Sequence, residues 1–116
     1  MQITIALAKG RLAKMSAKLF AACGLNTEEL LSDSRKLVFH DEANQVNFLM
    51  VKPSDVPVYV DHGIADIGIV GKDTLMEARL PLYEMVDLKY AACSICVAGY
   101  AGERKKSITS NILRVA

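Results

Sequence analysis

Charge of one sign is missing from this chain: 14 basic residues against 13 acidic ones leave a formal net charge of +1. Bulk electrostatics therefore cannot draw in nucleic acid or an anionic membrane, and any anion site must be local. Long hydrophobic runs are missing too. None reaches the ~18 to 20 residues that span a bilayer, and Met1-Gln2-Ile3-Thr4-Ile5 starts directly as a strand, without the charged and apolar regions of a signal peptide. The expectation is a soluble, cytoplasmic protein with neither nucleic acid nor membrane as partner. Cysteine is scarce, and Cys23, Cys93 and Cys96 make an odd count unsuited to a closed disulfide framework. No fixed-period repeat or low-complexity tract is present. What is there is 52% hydrophobic residues over a length that fits one compact domain with an ordinary core.

Residues 3–8, Ile-Thr-Ile-Ala-Leu-Ala, form the short apolar run of a strand covered on both faces. Lys9-Gly10-Arg11 breaks it. From Leu12 onward Met15, Leu19, Phe20 and Cys23 repeat at helical spacing, and Gly24 supplies the stop. Asn26 to Ser34 reads as a short helical turn or loop with Thr27 as its cap. Lys36–His40 and Val46–Val51 form β-favouring runs around a polar five-residue connection, the pattern of an antiparallel hairpin with Arg35 at its start and Lys52 at its end. Ser54 is the expected N-cap of a helix that carries Pro57 in its first turn and closes at His62-Gly63. Residues 65–70 read as a second buried strand, and Gly71-Lys72-Asp73 leads into a helical segment from Thr74 to Ala78. Tyr83–Leu88 and Ala91–Ala98 are further strand candidates, the second apolar enough to be central in a sheet. Strands alternating with helices predict an α/β sheet.

Both glycine-bearing loops follow strands, which predicts them at the carboxyl edge of the sheet, where open α/β folds bind ligands. Lys9-Gly10-Arg11 has the parts of a phosphate site: a glycine that lets the backbone approach, free N–H groups at a helix start, and two cations. Arg35, Lys36 and Lys52 add cations at the hairpin ends, and if the hairpin packs beside the first strand, Arg35 joins Lys9 and Arg11 in a cluster able to accept a polyphosphate. In the segment from Gly63 to Asp73, Asp66 and Gly68 interrupt a buried-looking strand; a backbone turn and close helix packing are their structural readings. Cys93-Ser94-Ile95-Cys96 has metal-like spacing without a second pair, and an odd offset along a strand points the thiols apart, so buried, inert thiols are expected and no protein metal site. Met50, Met76 and Met85 read as core fillers. Neither His40 nor His62 has the partner pattern of a catalytic triad.

Together, Ile5-Ala6-Leu7-Ala8-Lys9-Gly10-Arg11-Leu12, Ser34-Arg35-Lys36-Leu37-Val38-Phe39, Val51-Lys52-Pro53-Ser54-Asp55-Val56-Pro57 and Asp66-Ile67-Gly68-Ile69-Val70-Gly71-Lys72-Asp73 resemble the ATP phosphoribosyltransferase family in its short form. Tyr83-Glu84-Met85-Val86-Asp87-Leu88 and Cys93 continue the likeness over nearly the whole chain. The resemblance implies a lobe of the periplasmic-binding-protein type II kind, with a mixed, mainly parallel sheet and flanking helices. Residues 1–97 would form the first catalytic lobe, and 98–116 the crossover and the start of a second lobe.

The implied reaction is attack of ATP N1 on phosphoribosyl pyrophosphate (PRPP), giving N1-(5-phosphoribosyl)-ATP and pyrophosphate in the first step of histidine biosynthesis, with Mg2+ on the substrate phosphates. Arg11 and Arg35 would be catalytic, stabilising charge on the departing pyrophosphate. Lys9, Gly10, Lys36, Lys52, Gly71, Lys72 and Asp73 would bind substrate. The resemblance also implies homo- and hetero-oligomers and a regulatory subunit resembling histidyl-tRNA synthetase. This chain departs from the family pattern at Ala8, usually proline or serine, and at Lys52, often arginine, where lysine forfeits bidentate geometry. The family's second lobe carries an acidic, glycine- and threonine-rich loop for the ribose phosphate; the chain ends before it, so no turnover by these residues alone is expected. The competing reading is a non-catalytic small-molecule binding module of the solute-binding or regulator-effector type.

Overall fold

The computed structural model describes residues 1–32, 35–96, 98 and 101. Strand β1 (Ile3–Ala8) passes through Lys9 and Gly10 into helix α1 (Arg11–Ala22), followed by the short α2 (Glu28–Leu31). The hairpin β2 (Val38–Asp41) and β3 (Val46–Val51) comes next, then α3 (Asp55–Asp61), β4 (Ile67–Ile69) and α4 (Lys72–Ala78). The sheet order is β2-β3-β1-β4, with β1 parallel to both β3 and β4 and β2 antiparallel to β3. This is the expected α/β architecture, a mixed and mainly parallel sheet with flanking helices.

The twofold alternation of strand side chains splits the core into two faces. Ile5 and Leu7 of β1 point to one face, where they join Ala17, Leu30, Phe39, Val46 and Phe48 under α1 and α2. Phe20 closes this cluster with its ring tilted 54° against Phe48 at 5.4 Å. Ala6 and Ala8 point the other way and meet Val56, Ala65 and the partly buried Val60. Small residues on that side let α3 lie close. A Cβ at Gly68 would sit 2.7 Å from Val56 Cγ1 and 3.0 Å from Val60 Cγ2, so β4 approaches α3 through a glycine.

Several local signals act differently from the sequence expectation. Thr27 precedes α2, yet its hydroxyl donates to the Ala17 carbonyl at 3.1 Å and ties α2 to α1. Asn26 Oδ1 takes the capping role, accepting the Glu28 N–H at 3.2 Å. Ser54 has helical backbone angles and makes no cap bond. Pro57 lies buried in the first turn of α3, where a missing N–H is harmless. The hairpin connection is one residue shorter than expected, because Asp41 pairs with Val46 and belongs to β2.

The expected strands at 83–88 and 91–98 are absent: the described residues there have no regular secondary structure. A strand exists only when a neighbour takes its N–H and C=O groups, and none of the described strands does so. Consequently Met85 is exposed and Ile95 is 93% exposed, and Met76 on α4 is likewise exposed rather than a core residue. Cys23, Cys93 and Cys96 are likewise free and exposed, not buried, because the strand meant to bury the last two does not form here. Ser34, Val97, Gly99, Tyr100 and the expected crossover and second-lobe segment beyond Ala101 lie outside the described residues. Among the described residues, no helix is long and apolar enough to cross a membrane.

Candidate functional site

Register decides which residues share an edge. Ala8 pairs with Val51, Leu7 with Ile69, and Val38 runs antiparallel opposite Leu49. The residues that follow β1, β3 and β4 therefore emerge at the same edge as those that precede β2. That edge carries Lys9-Gly10-Arg11, Lys52, Gly71-Lys72-Asp73 and the Arg35-Lys36 pair. Two backbone bonds extend the sheet toward it: Lys9 N–H donates to the Val51 carbonyl at 3.0 Å, and Met50 N–H to the Leu37 carbonyl at 2.8 Å. Segments far apart in sequence thus converge without any of them being central to the core.

Gly10 takes φ 99° and ψ −142°, a conformation essentially confined to glycine, and a Cβ there would meet nothing within 4 Å. Conformation and not crowding demands glycine, and the open space lets a ligand approach the backbone. Helix α1 then runs for 12 residues with no acidic side chain in its first turn and no side-chain cap. Its leading N–H groups are left for solvent or an anion, at the positive end of the helix dipole. Gly71 serves its corner differently. A Cβ there would lie 2.4 Å from Asp73 Oδ1, so the glycine makes room for the Asp73 carboxylate folded back over the start of α4.

The exposed cations of this edge divide by partner. Lys36 Nζ is held 2.7 Å from Glu29 of α2 and lies 5.4 Å from the centre of the Phe39 ring. Lys72 pairs with Glu84. Among the described residues, Lys9, Arg11, Arg35 and Lys52 have no carboxylate within ion-pair reach. Glu29 and Glu84 were not singled out from the sequence. Their pairings cross loops, and no helical or strand spacing announces them.

Asp66 and Gly68 take their structural readings. Asp66 Oδ2 accepts the Thr4 N–H at 2.8 Å, while Asp66 N–H donates to the Thr4 carbonyl at 2.8 Å, a reciprocal tie that fixes β4 to β1. The opposite end of the sheet holds an open depression of about 660 Å³, lined by Asn26, Thr27, His40, Asp41 and Asn44 among others. Asp41 is already committed there: its carboxylate accepts the Asn26 N–H at 2.8 Å and the Asn44 side-chain amide at 2.8 Å. The Asn26 bond, followed by that of Asn44, holds the Asp41 carboxyl below the usual range. No group of three or more His, Cys, Asp or Glu able to hold a metal ion occurs among the described residues.

Comparison with known proteins meets this geometry. Residues 52–116 match the family model described as HisG: ATP phosphoribosyltransferase. The chain is 51% identical over 113 residues to an ATP phosphoribosyltransferase of Ruminiclostridium cellulolyticum, covering 97% of this chain and 53% of the relative. It is 49% identical over 115 residues to one from Lachnospira eligens, covering 98% and 53%. The chain spans about half the length of these curated relatives. Among solved structures, an ATP phosphoribosyl transferase (HisG:HisZ) complex from Thermotoga maritima superposes with a TM-score of 0.61 at 28% identity, over 73% of this chain and 39% of that one. A family match over more than half the chain, with a similar fold in a solved relative, makes this chain a member of the HisG ATP phosphoribosyltransferase family.

Proposed function

We propose that the complete protein transfers the phosphoribosyl group of PRPP to N1 of ATP, and that this chain supplies the cationic half of the cleft. The observation that carries the reading is the register that delivers Lys9-Gly10-Arg11, Arg35, Lys52 and Gly71-Lys72-Asp73 to one sheet edge.

The chemistry asks for that arrangement. The bond from the ribosyl carbon to the pyrophosphate oxygen breaks while a bond to the adenine nitrogen forms, and negative charge grows on the leaving pyrophosphate. Arg11 and Arg35, with no carboxylate partner among the described residues, meet that charge, so their stabilisation is larger in the transition state than in the ground state. Lys9, the N–H groups behind Gly10 and Lys52 hold phosphate beside them. Gly71, Lys72 and Asp73 line the facing side, and Lys36 is the weaker contributor because Glu29 shares its charge. Magnesium enters with the substrate phosphates. No covalent nucleophile on the protein is required, since the attacking nitrogen belongs to ATP; positioning and charge carry the step.

Relatives that are ATP phosphoribosyltransferases support the activity, and the solved HisG:HisZ complex supports a partner subunit; a regulatory role for that subunit, hetero-oligomeric assembly and a cytoplasmic location belong to the same proposal. The test is an assay of the complete protein with ATP, PRPP and magnesium, with and without that partner. Phosphoribosyl-ATP should form, and Arg11→Ala should lower kcat by about 10²- to 10³-fold, the range found for loss of one preorganised charge-stabilising group. Binding of neither substrate by the complete protein would replace this reading with that of a non-catalytic binding module.

A further inference from the structure

Tyr90 lies 74 residues from Ser16 in sequence, yet their hydroxyl oxygens are 2.8 Å apart. Ser16 is on α1 with 0% exposure, and its hydroxyl also bonds the Leu12 carbonyl at 2.8 Å. A carbonyl can only accept, so the single proton of Ser16 goes to Leu12, and Tyr90 must donate to Ser16. The chain of donation runs from Tyr90 to Ser16 to Leu12, and ends on the residue after Arg11. Leu12 stands in the first turn of α1, where its carbonyl already faces the helical N–H of Ser16. A second bond from a serine four residues on bends a helix locally. The bond ties the Leu12 carbonyl, one residue from Arg11, through Ser16 to Tyr90.

The segment bearing Tyr90 is held in place by more than this bond. Lys89 and Ala91, on either side of it, both take left-handed backbone angles, φ 53° and 54°. Non-glycine residues adopt these angles uncommonly and at an energetic cost. Six residues upstream, Glu84 pairs with Lys72 at the start of α4. One irregular segment is thus fastened to both helices that begin at the glycine corners Gly10 and Gly71.

We propose that Tyr90 is a positioning residue for the anion loop: its hydroxyl, acting through Ser16, fixes the first turn of α1 so that Arg11 and the N–H groups behind Gly10 face bound phosphate. The role rests on the function proposed above. It does not make Tyr90 a catalytic residue, since Tyr90 acts through α1 and need not touch substrate.

The test uses the complete protein and its Tyr90→Phe, Ser16→Ala and double variants, with inorganic pyrophosphate as probe. Removing the tyrosine hydroxyl should speed amide hydrogen exchange in the first turns of α1, at Lys14 to Ser16, by about tenfold relative to Lys18–Ala22. It should weaken pyrophosphate binding by about threefold or more and lower kcat more than it raises the KM for PRPP, because Arg11 acts on charge that develops in the transition state. Adding Tyr90→Phe to Ser16→Ala should have little further effect, because the two act in series. Unchanged exchange, or pyrophosphate affinity equal to that of a wild type that binds it, overturns the positioning role while leaving the proposed function standing. A wild type that binds no pyrophosphate overturns the proposed function, and the positioning role with it. If Tyr90→Phe fails to fold, Ser16→Ala reports on the same relay from its other member by the same criteria.

Discussion

Thr4 and Asp66 exchange two hydrogen bonds of 2.8 Å, backbone to backbone in one direction and backbone to carboxylate in the other. The pair stands just before the three-residue strand β4 and sets which residues of β4 face β1. Replacing Asp66 with alanine should destabilise the fold by about 1 kcal/mol, the ordinary net worth of such a bond, whereas Asp66→Asn retains an acceptor and should lose less. Urea unfolding midpoints of the three proteins decide this. Equal midpoints would show that the ladder alone sets the register.

Gly68→Ala should be costlier. Its Cβ would stand 2.7 Å and 3.0 Å from valine methyl groups of α3, so either β4 or α3 must shift. Overpacking of this kind costs about 1–3 kcal/mol. A thermal midpoint unchanged from wild type would mean that α3 rests less tightly on the sheet than described.

Gly10→Ala separates strain from crowding. Nothing lies within 4 Å of the new methyl group, so the penalty is conformational, at about 1–3 kcal/mol for φ 99°. If the loop relaxes to escape it, the leading N–H groups of α1 turn away and pyrophosphate affinity falls together with stability. Calorimetric titration beside a denaturant melt reads both.

Lys89→Gly and Ala91→Gly test the left-handed residues. Glycine removes the ~1–2 kcal/mol penalty of that conformation and gives back ~0.5–1 kcal/mol in backbone entropy. Each variant should therefore be more stable by about 0.5 kcal/mol, read as a higher melting midpoint. A loss of stability would show that these angles relax in solution.

Acid should loosen the far end of the sheet first. The Asp41 carboxyl is held below its usual range in the folded state by the Asn26 N–H and then by Asn44. A depressed folded value means a contribution that is complete above the unfolded value, about 3.9, and disappears as pH falls through the folded one. Asp41→Asn should flatten this part of the stability curve below about pH 4. Near pH 7 the variant should be less stable than wild type, because it loses a charged acceptor.

The elements whose identity depends on near neighbours in sequence were legible there: β1, α1 with its stop at Gly24, the hairpin and α3 lie within a residue or two of expectation. So was the convergence of loops on one edge, since strand polarity alone dictates it. Ion pairs were not. Glu29 sits seven residues from Lys36 and Glu84 twelve from Lys72, across turns whose path sequence spacing does not fix. The apolar stretch Ala91–Ala98 read as a central strand because hydrophobicity reports what a segment would bury, and says nothing of whether a sheet edge is offered to it.

The sheet order has a consequence for synthesis. β1 leaves the ribosome before the strands it pairs with, yet it lies between them in the sheet, and its partners are residues 46–51 and 67–69. Until both have emerged, Ile3 to Ala8 is an apolar, β-favouring stretch without its partners, the kind of segment prone to pair with other chains. Lys9 and Arg11 follow it immediately. Charges that flank such a strand keep it from pairing with its neighbours on other chains, so the two cations proposed above to meet phosphate also guard the strand while it waits.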